Sequence, residues 1–120
     1  MYKTFEEMPV WQKAMDLSIE VYHLSKSLPR AEDYGLTSQL RRASNSISAN
    51  IAEGFGRKSN KEKTQFYTIA ISSAFETISH LVYGNKVGYF DLLKVNNLKK
   101  EYNLLIFELN KLEDRKTEFP

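Results

Sequence analysis

The side chains able to do chemistry gather in two stretches of this 120-residue chain, residues 36–57 and 61–86. Asn50 and Glu53 in the first, and Ser73 and Glu76 in the second, have the spacing to share a polar seam between neighbouring helices. Paired carboxylates in such a seam can do acid–base work or hold a cation. The residues favour a structural network instead, with Asn50 fixing helix register and the carboxylates accepting hydrogen bonds from Arg42, Arg57 or serine hydroxyls. Glu53 precedes Arg57 by four positions, the better orientation for an intrahelical ion pair. A di-iron bundle site needs Glu-x-x-His on each of two helices, whereas Glu76 and His80 are four apart and no second His matches them. Ser73 and His80 lie two turns apart, roughly 10 Å along a helix, too far for a nucleophile and its base. The run Gly54-Phe55-Gly56-Arg57-Lys58-Ser59 follows a helical pattern and lacks the spacing of a phosphate loop. No catalytic residue, metal site or cofactor is assigned, and the chain reads as non-enzymatic.

The second candidate group is basic: Arg41, Arg42, Arg57, Lys58, Lys61 and Lys63. Residues 34–63 hold six basic and two acidic side chains, whereas residues 1–33 hold four and six, so the basic excess is local despite a net charge of only +2. Such a cluster suits nonspecific phosphate binding. A solvated, Lys-rich turn would have the same composition. In a ring of identical subunits the cluster would repeat, and each weak contact would gain through effective concentration.

A chain of this length fits one domain, residues 1–120, with enough apolar content (42%) to bury a core. The absence of cysteine excludes disulfides, a thiolate nucleophile and thiolate metal sites. The first fifteen residues do not read as a signal peptide, and the least charged stretch, residues 64–85, still contains Gln65, Glu76 and His80. A cytoplasmic location without a membrane span is the expectation.

Helical periodicity supplies the elements. Residues 1–9 form a short arm, and Val10, Ala14, Leu17, Val21, Leu24 and Leu28 keep a heptad seam widened by Trp11 and Tyr22, to be ended by Pro29. Asp33 is a candidate cap for the second helix, whose apolar face is Leu36, Leu40, Ala43, Ile47, Ile51 and Phe55. Its remaining surface carries Asn45, Ser48, Ala49 and Ala52, small enough for close packing. Gly54 and Gly56 weaken its last turn, and Ser59 or Asn60 can cap a third helix reaching Lys86. That helix is apolar or small nearly all round: Ile71, Ala74, Ile78 and Leu81 with Phe75 and Val82, then Phe66, Ala70, Ser73, Thr77 and Gly84. A helix without a solvated face is buried on more than one side, which points to a subunit interface through Ala49, Ala52, Ile71, Phe75, Ile78 and Val82. Ser, Thr and Tyr wetting the outer face is the competing account. A fourth helix spans residues 91–116, with Leu92, Val95, Tyr102, Leu105, Leu109 and Leu112 inward and residues 117–120 as a frayed tail. Short connections make the whole an all-α, antiparallel up-down-up-down four-helix bundle.

Arg41-Arg42-Ala43-Ser44, Ser46-Ile47, Asn50-Ile51-Ala52-Glu53-Gly54 and Arg57, followed by Phe66, Ala70, Ser73 and Glu76, resemble the four-helix-bundle proteins encoded in intervening sequences of bacterial 23S ribosomal RNA genes. Ser72 departs from the pattern, since the family often has Gly there, and a wider gap between helices two and three is expected. The resemblance implies an all-α bundle and a relation to the accessory proteins of diversity-generating retroelements, which form basic pentameric barrels that associate with nucleic acid and reverse transcriptase. It supplies no established activity. The expectation is a homo-oligomer, pentameric by resemblance, that binds structured RNA or DNA through repeated basic surfaces. The alternative is a scaffold docking a protein such as a polymerase or reverse transcriptase.

Overall fold

A computed structural model describes the backbone of residues 1–118 and the side chains of residues 1–113. Four helices make up nearly all of it: α1 (Pro9–Ser25), α2 (Leu36–Phe55), α3 (Asn60–Lys86) and α4 (Leu92–Glu118). Each packs beside its neighbours in sequence and α1 closes against α4, giving an antiparallel bundle of 47 × 23 × 20 Å. The end of the expected frayed tail, Phe119 and Pro120, lies outside the described residues.

The heptad seam of α1 is observed, with Ala14, Leu17 and Val21 fully buried. The helix ends at Ser25 because the next three amides bond to carbonyls three residues back, tightening the chain before Pro29. The N-terminal arm is docked: Met8 is buried and the Phe5 ring meets Trp11 edge-on at 5.1 Å. Tyr22 does not widen the seam. It is 46% exposed, at the rim between α1 and α2.

Leu36, Leu40, Ala43, Ile47 and Ile51 form the buried face of α2 as expected. Its first turn is served by Glu32 and not by Asp33: the Glu32 carboxylate accepts from the Leu36 amide at 3.2 Å, four residues on. The hydroxyl of Tyr89 donates to the other oxygen of Glu32 at 2.8 Å, tying the third connection to the first. That acceptor holds the Tyr89 phenol above its ordinary pKa.

Ser59 caps α3 reciprocally with Glu62: its hydroxyl accepts from the Glu62 amide at 3.1 Å and donates to the Glu62 carboxylate at 3.0 Å. The buried stripe of α3 is Tyr67, Ala70, Ser73, Ala74, Thr77, Leu81 and Gly84. Tyr67, absent from the expected stripes, is among the largest fully buried side chains. Its ring lies where a Cβ on Gly54 would be, 2.7 Å from its Cε1. Gly54 therefore seats α2 against α3, and α2 stays regular through Phe55. Ser72 is exposed on the outer side of α3, so it cannot widen the α2–α3 spacing. In α4, Asp91 accepts from the Lys94 amide at 3.2 Å, capping the first turn. Val95, Leu98, Tyr102, Leu105, Ile106 and Leu109 face inward, while Leu92, placed in the inward stripe from the sequence, is 57% exposed.

Candidate nucleic-acid interface

The polar seam forms around Ser46. Its hydroxyl lies 2.9 Å from that of Ser73 and accepts from the Asn50 amide nitrogen at 3.0 Å, and the same nitrogen donates to the Ser46 carbonyl at 2.8 Å. Asn50 and Ser73 are thus joined across α2 and α3 through Ser46, which shares the polar edge of α2 with Asn50 but is not one of the four residues expected in the network. Glu53 and Glu76 do not join them, which corrects the four-residue network. Each is roughly half exposed and pairs four residues along its own helix, Glu53 with Arg57 at 2.9 Å and Glu76 with His80 at 3.1 Å. A partner on the same face four residues away is reached without burying a carboxylate, so the acids stay at the rim. Two carboxylates that each engage a different partner on their own helix have no shared proton to exchange.

The six basic residues fall into two groups. At about 1.5 Å per residue, Arg42 and Arg57 are roughly 23 Å apart along the helix axis. The lower group surrounds the α2–α3 corner. Arg57 is held by Glu53 and sits 4.6 Å from the Phe66 ring centroid. Lys58 and Lys61 are exposed and have no partner among the described residues. Lys63 has structural work: its ammonium donates to the Phe55 carbonyl at 2.8 Å and the Gly54 carbonyl at 3.3 Å. Both carbonyls belong to the last turn of α2, the Gly54 oxygen also accepting from the Arg57 amide at 3.2 Å, and a cation there opposes the helix dipole.

The upper group differs. The Arg41 Nε donates to the buried Ser25 hydroxyl at 2.7 Å, and Ser25 donates to the Tyr22 carbonyl at 2.7 Å. The guanidinium carbon of Arg41 lies 4.5 Å from the centre of the Tyr22 ring, and the Lys26 ammonium 5.0 Å from it. Arg42 is exposed and has no partner among the described residues. Sequence reasoning missed the place of Tyr22 here, although Tyr22 and Lys26 are four apart and their pairing was readable from that spacing.

The residues expected at a subunit interface are divided. Ile71 and Ile78 pack against the subunit's own core, Val82 and Ala52 are half-buried, and Phe75 and Ala49 are exposed. Phe75 (55% exposed) belongs to a wider set of outward apolar side chains that includes Leu104 (51%) and Phe107 (59%) on α4.

The elements and their charges define an all-helical, four-helix-bundle protein with basic groups toward both ends of α2. No helix among the described residues is long and apolar enough to cross a membrane. The sequence matches the model of the 23S rRNA-intervening sequence proteins over residues 6–111, and the chain belongs to that family. The structure is similar to the crystal structure of a protein of unknown function from the S23 ribosomal protein family of Bacteroides thetaiotaomicron. The TM-score is 0.80 at 21% identity, over 87% of this chain and 97% of the other, which shows a shared fold. No curated protein matches the sequence.

Proposed function

We propose that this protein binds structured RNA or DNA, without catalysing a reaction on it, by presenting the α2–α3 corner repeatedly in a homo-oligomer. The observation that carries the reading is the state of that corner: Lys58 and Lys61 are exposed with no partner among the described residues, beside an exposed Arg57. Lys side chains with no competing carboxylate release counterions from a phosphate backbone and gain affinity without reading sequence, while Arg57 would have to share its charge with Glu53. Phe75, Leu104 and Phe107 support the oligomer, since a second copy would remove large apolar side chains from water.

Fluorescence anisotropy with a labelled RNA hairpin and a DNA duplex over a salt series tests the binding. The expected result is affinity that falls steeply with salt, with a slope reduced by about two per engaged subunit when Lys58→Ala and Lys61→Ala are combined. Binding undetectable at low salt, or indifferent to that double substitution, overturns the reading. Capture of a protein partner from nuclease-treated lysate, with no nucleic-acid affinity, would move the assignment to a scaffold.

A further inference from the structure

We propose that the groove between α1 and α2, at the upper end of the bundle, is a second and distinct site, which receives one phosphate-bearing nucleotide unit of a single strand. The inference rests on the reading that the protein binds nucleic acid, and it names a site which that reading does not use. The groove has a volume of about 410 Å³ and is lined by Ser18, Ile19, Tyr22, Arg41, Arg42, Ser44 and Asn45. That size falls in the range of clefts that enclose small ligands, about 300–1,000 Å³.

Its lining is one-signed. Two arginines and no carboxylate contribute to it, whereas the groove between α1 and α4 mixes Glu20 and Glu101 with His23 and Lys94. An anion therefore gains in the first groove, whereas in the second the cations are offset by carboxylates.

The cation is also held in place. Ser25 fixes the Nε of Arg41 and the Tyr22 ring lies beneath its guanidinium, while its terminal Nη donors have no partner among the described residues. A planar fork with its stem fixed loses little freedom when it grips phosphate oxygens in a bidentate way. Arg42 adds a second, unpaired charge.

The other walls fit a base. Tyr22 and Ile19 are 46% and 48% exposed, so the part of the ring that Arg41 and Lys26 leave uncovered offers an aromatic surface to a base, with an aliphatic side chain also lining the groove. The amide side chain of Asn45, exposed and with no partner among the described residues, can hydrogen-bond a base edge. Phosphate alone would not use the ring, and an apolar ligand would not use the arginines. A nucleotide uses both, and aromatic stacking with cationic contacts is how single strands are held without sequence preference.

The test uses the full chain and labelled single-stranded oligo-uridylate, with a 5-iodouridine version for photo-crosslinking. The expected result is a crosslink at Tyr22, with Tyr22→Leu and Arg42→Ala each weakening binding at least fivefold while leaving the thermal midpoint within about 2 °C of wild type. Both positions are exposed, so a folding defect is not expected, and circular dichroism checks it. Competition by millimolar uridine monophosphate identifies a free nucleotide as sufficient, and its failure identifies a strand; the site stands in either case. Wild-type affinity in both variants with the crosslink at Phe66 removes the site but leaves the α2–α3 corner intact. Absence of any binding, together with indifference to Lys58→Ala and Lys61→Ala, removes both.

Discussion

Replacing Gly54 by Ala pits helix propensity against packing. Inside a helix, alanine is favoured over glycine by about 1 kcal/mol, so an isolated α2 would gain from the change. In the bundle the new methyl would sit 2.7 Å from Tyr67 Cε1, 3.1 Å from Tyr67 Cδ1 and 3.2 Å from Phe66 Cβ. Ordinary contact requires the ring to withdraw by roughly 1 Å, since carbon pairs rest near 3.5–4.0 Å. Tyr67 is 1% exposed and has no solvent to withdraw into. Overpacking of this kind costs typically about 1–3 kcal/mol, and relieving it by sliding α3 would disturb the Ser46–Ser73 contact as well. The propensity gain offsets part of that cost, so the net expectation is a loss of up to about 2 kcal/mol, or up to roughly 10 °C in thermal midpoint, against no loss where the packing is open. Gly56 provides the control: its Cβ would have Glu53 O at 3.6 Å as nearest neighbour, so Gly56→Ala should be neutral or slightly stabilising. Urea denaturation followed by circular dichroism at fixed protein concentration measures both, and Tyr67→Leu in the Gly54→Ala background should recover part of the loss. If Gly54→Ala proves as stable as Gly56→Ala, the close approach of α2 to α3 does not constrain the fold and the reasoning fails.

Lys63→Met keeps the aliphatic stem but removes the ammonium from the Phe55 and Gly54 carbonyls, and should cost about 1 kcal/mol in urea denaturation. Lys58→Ala with Lys61→Ala should weaken nucleic-acid binding and lower its salt slope while leaving the urea midpoint unchanged. The Tyr102 hydroxyl is buried with no hydrogen-bond partner among the described residues, so Tyr102→Phe should be neutral or stabilising by up to about 1 kcal/mol. Burial, with a smaller push from Glu20, raises the Tyr102 phenol above its usual pKa of about 10. The unfolded chain therefore ionises first, and stability that is complete below pH 10 should fall as the pH rises beyond it. Tyr102→Phe should flatten that alkaline limb in denaturation measured from about pH 9 to 11. Phe75→Glu should lower the mass seen by light scattering if α3 faces a second copy.

What the sequence determined by itself is what periodicity and local chemistry carry. The 3.6-residue spacing gave the apolar face of α2, the Ser59 cap gave the start of α3, and the i,i+4 spacing gave the Glu53–Arg57 pair. These depend on residues within one or two turns of each other, so a linear reading reaches them. The tertiary structure alone decided how far each side chain lies from a residue distant in the chain. It sent Glu53 and Glu76 to the rim, committed Lys63 to the end of α2, turned Tyr22 outward beneath Arg41, and placed the Tyr67 ring over Gly54. The physical reason is that two helices meet by interlocking their ridges and grooves, and a shift of one residue turns a side chain by about 100°. A core position then becomes a rim position although its sequence pattern is the same.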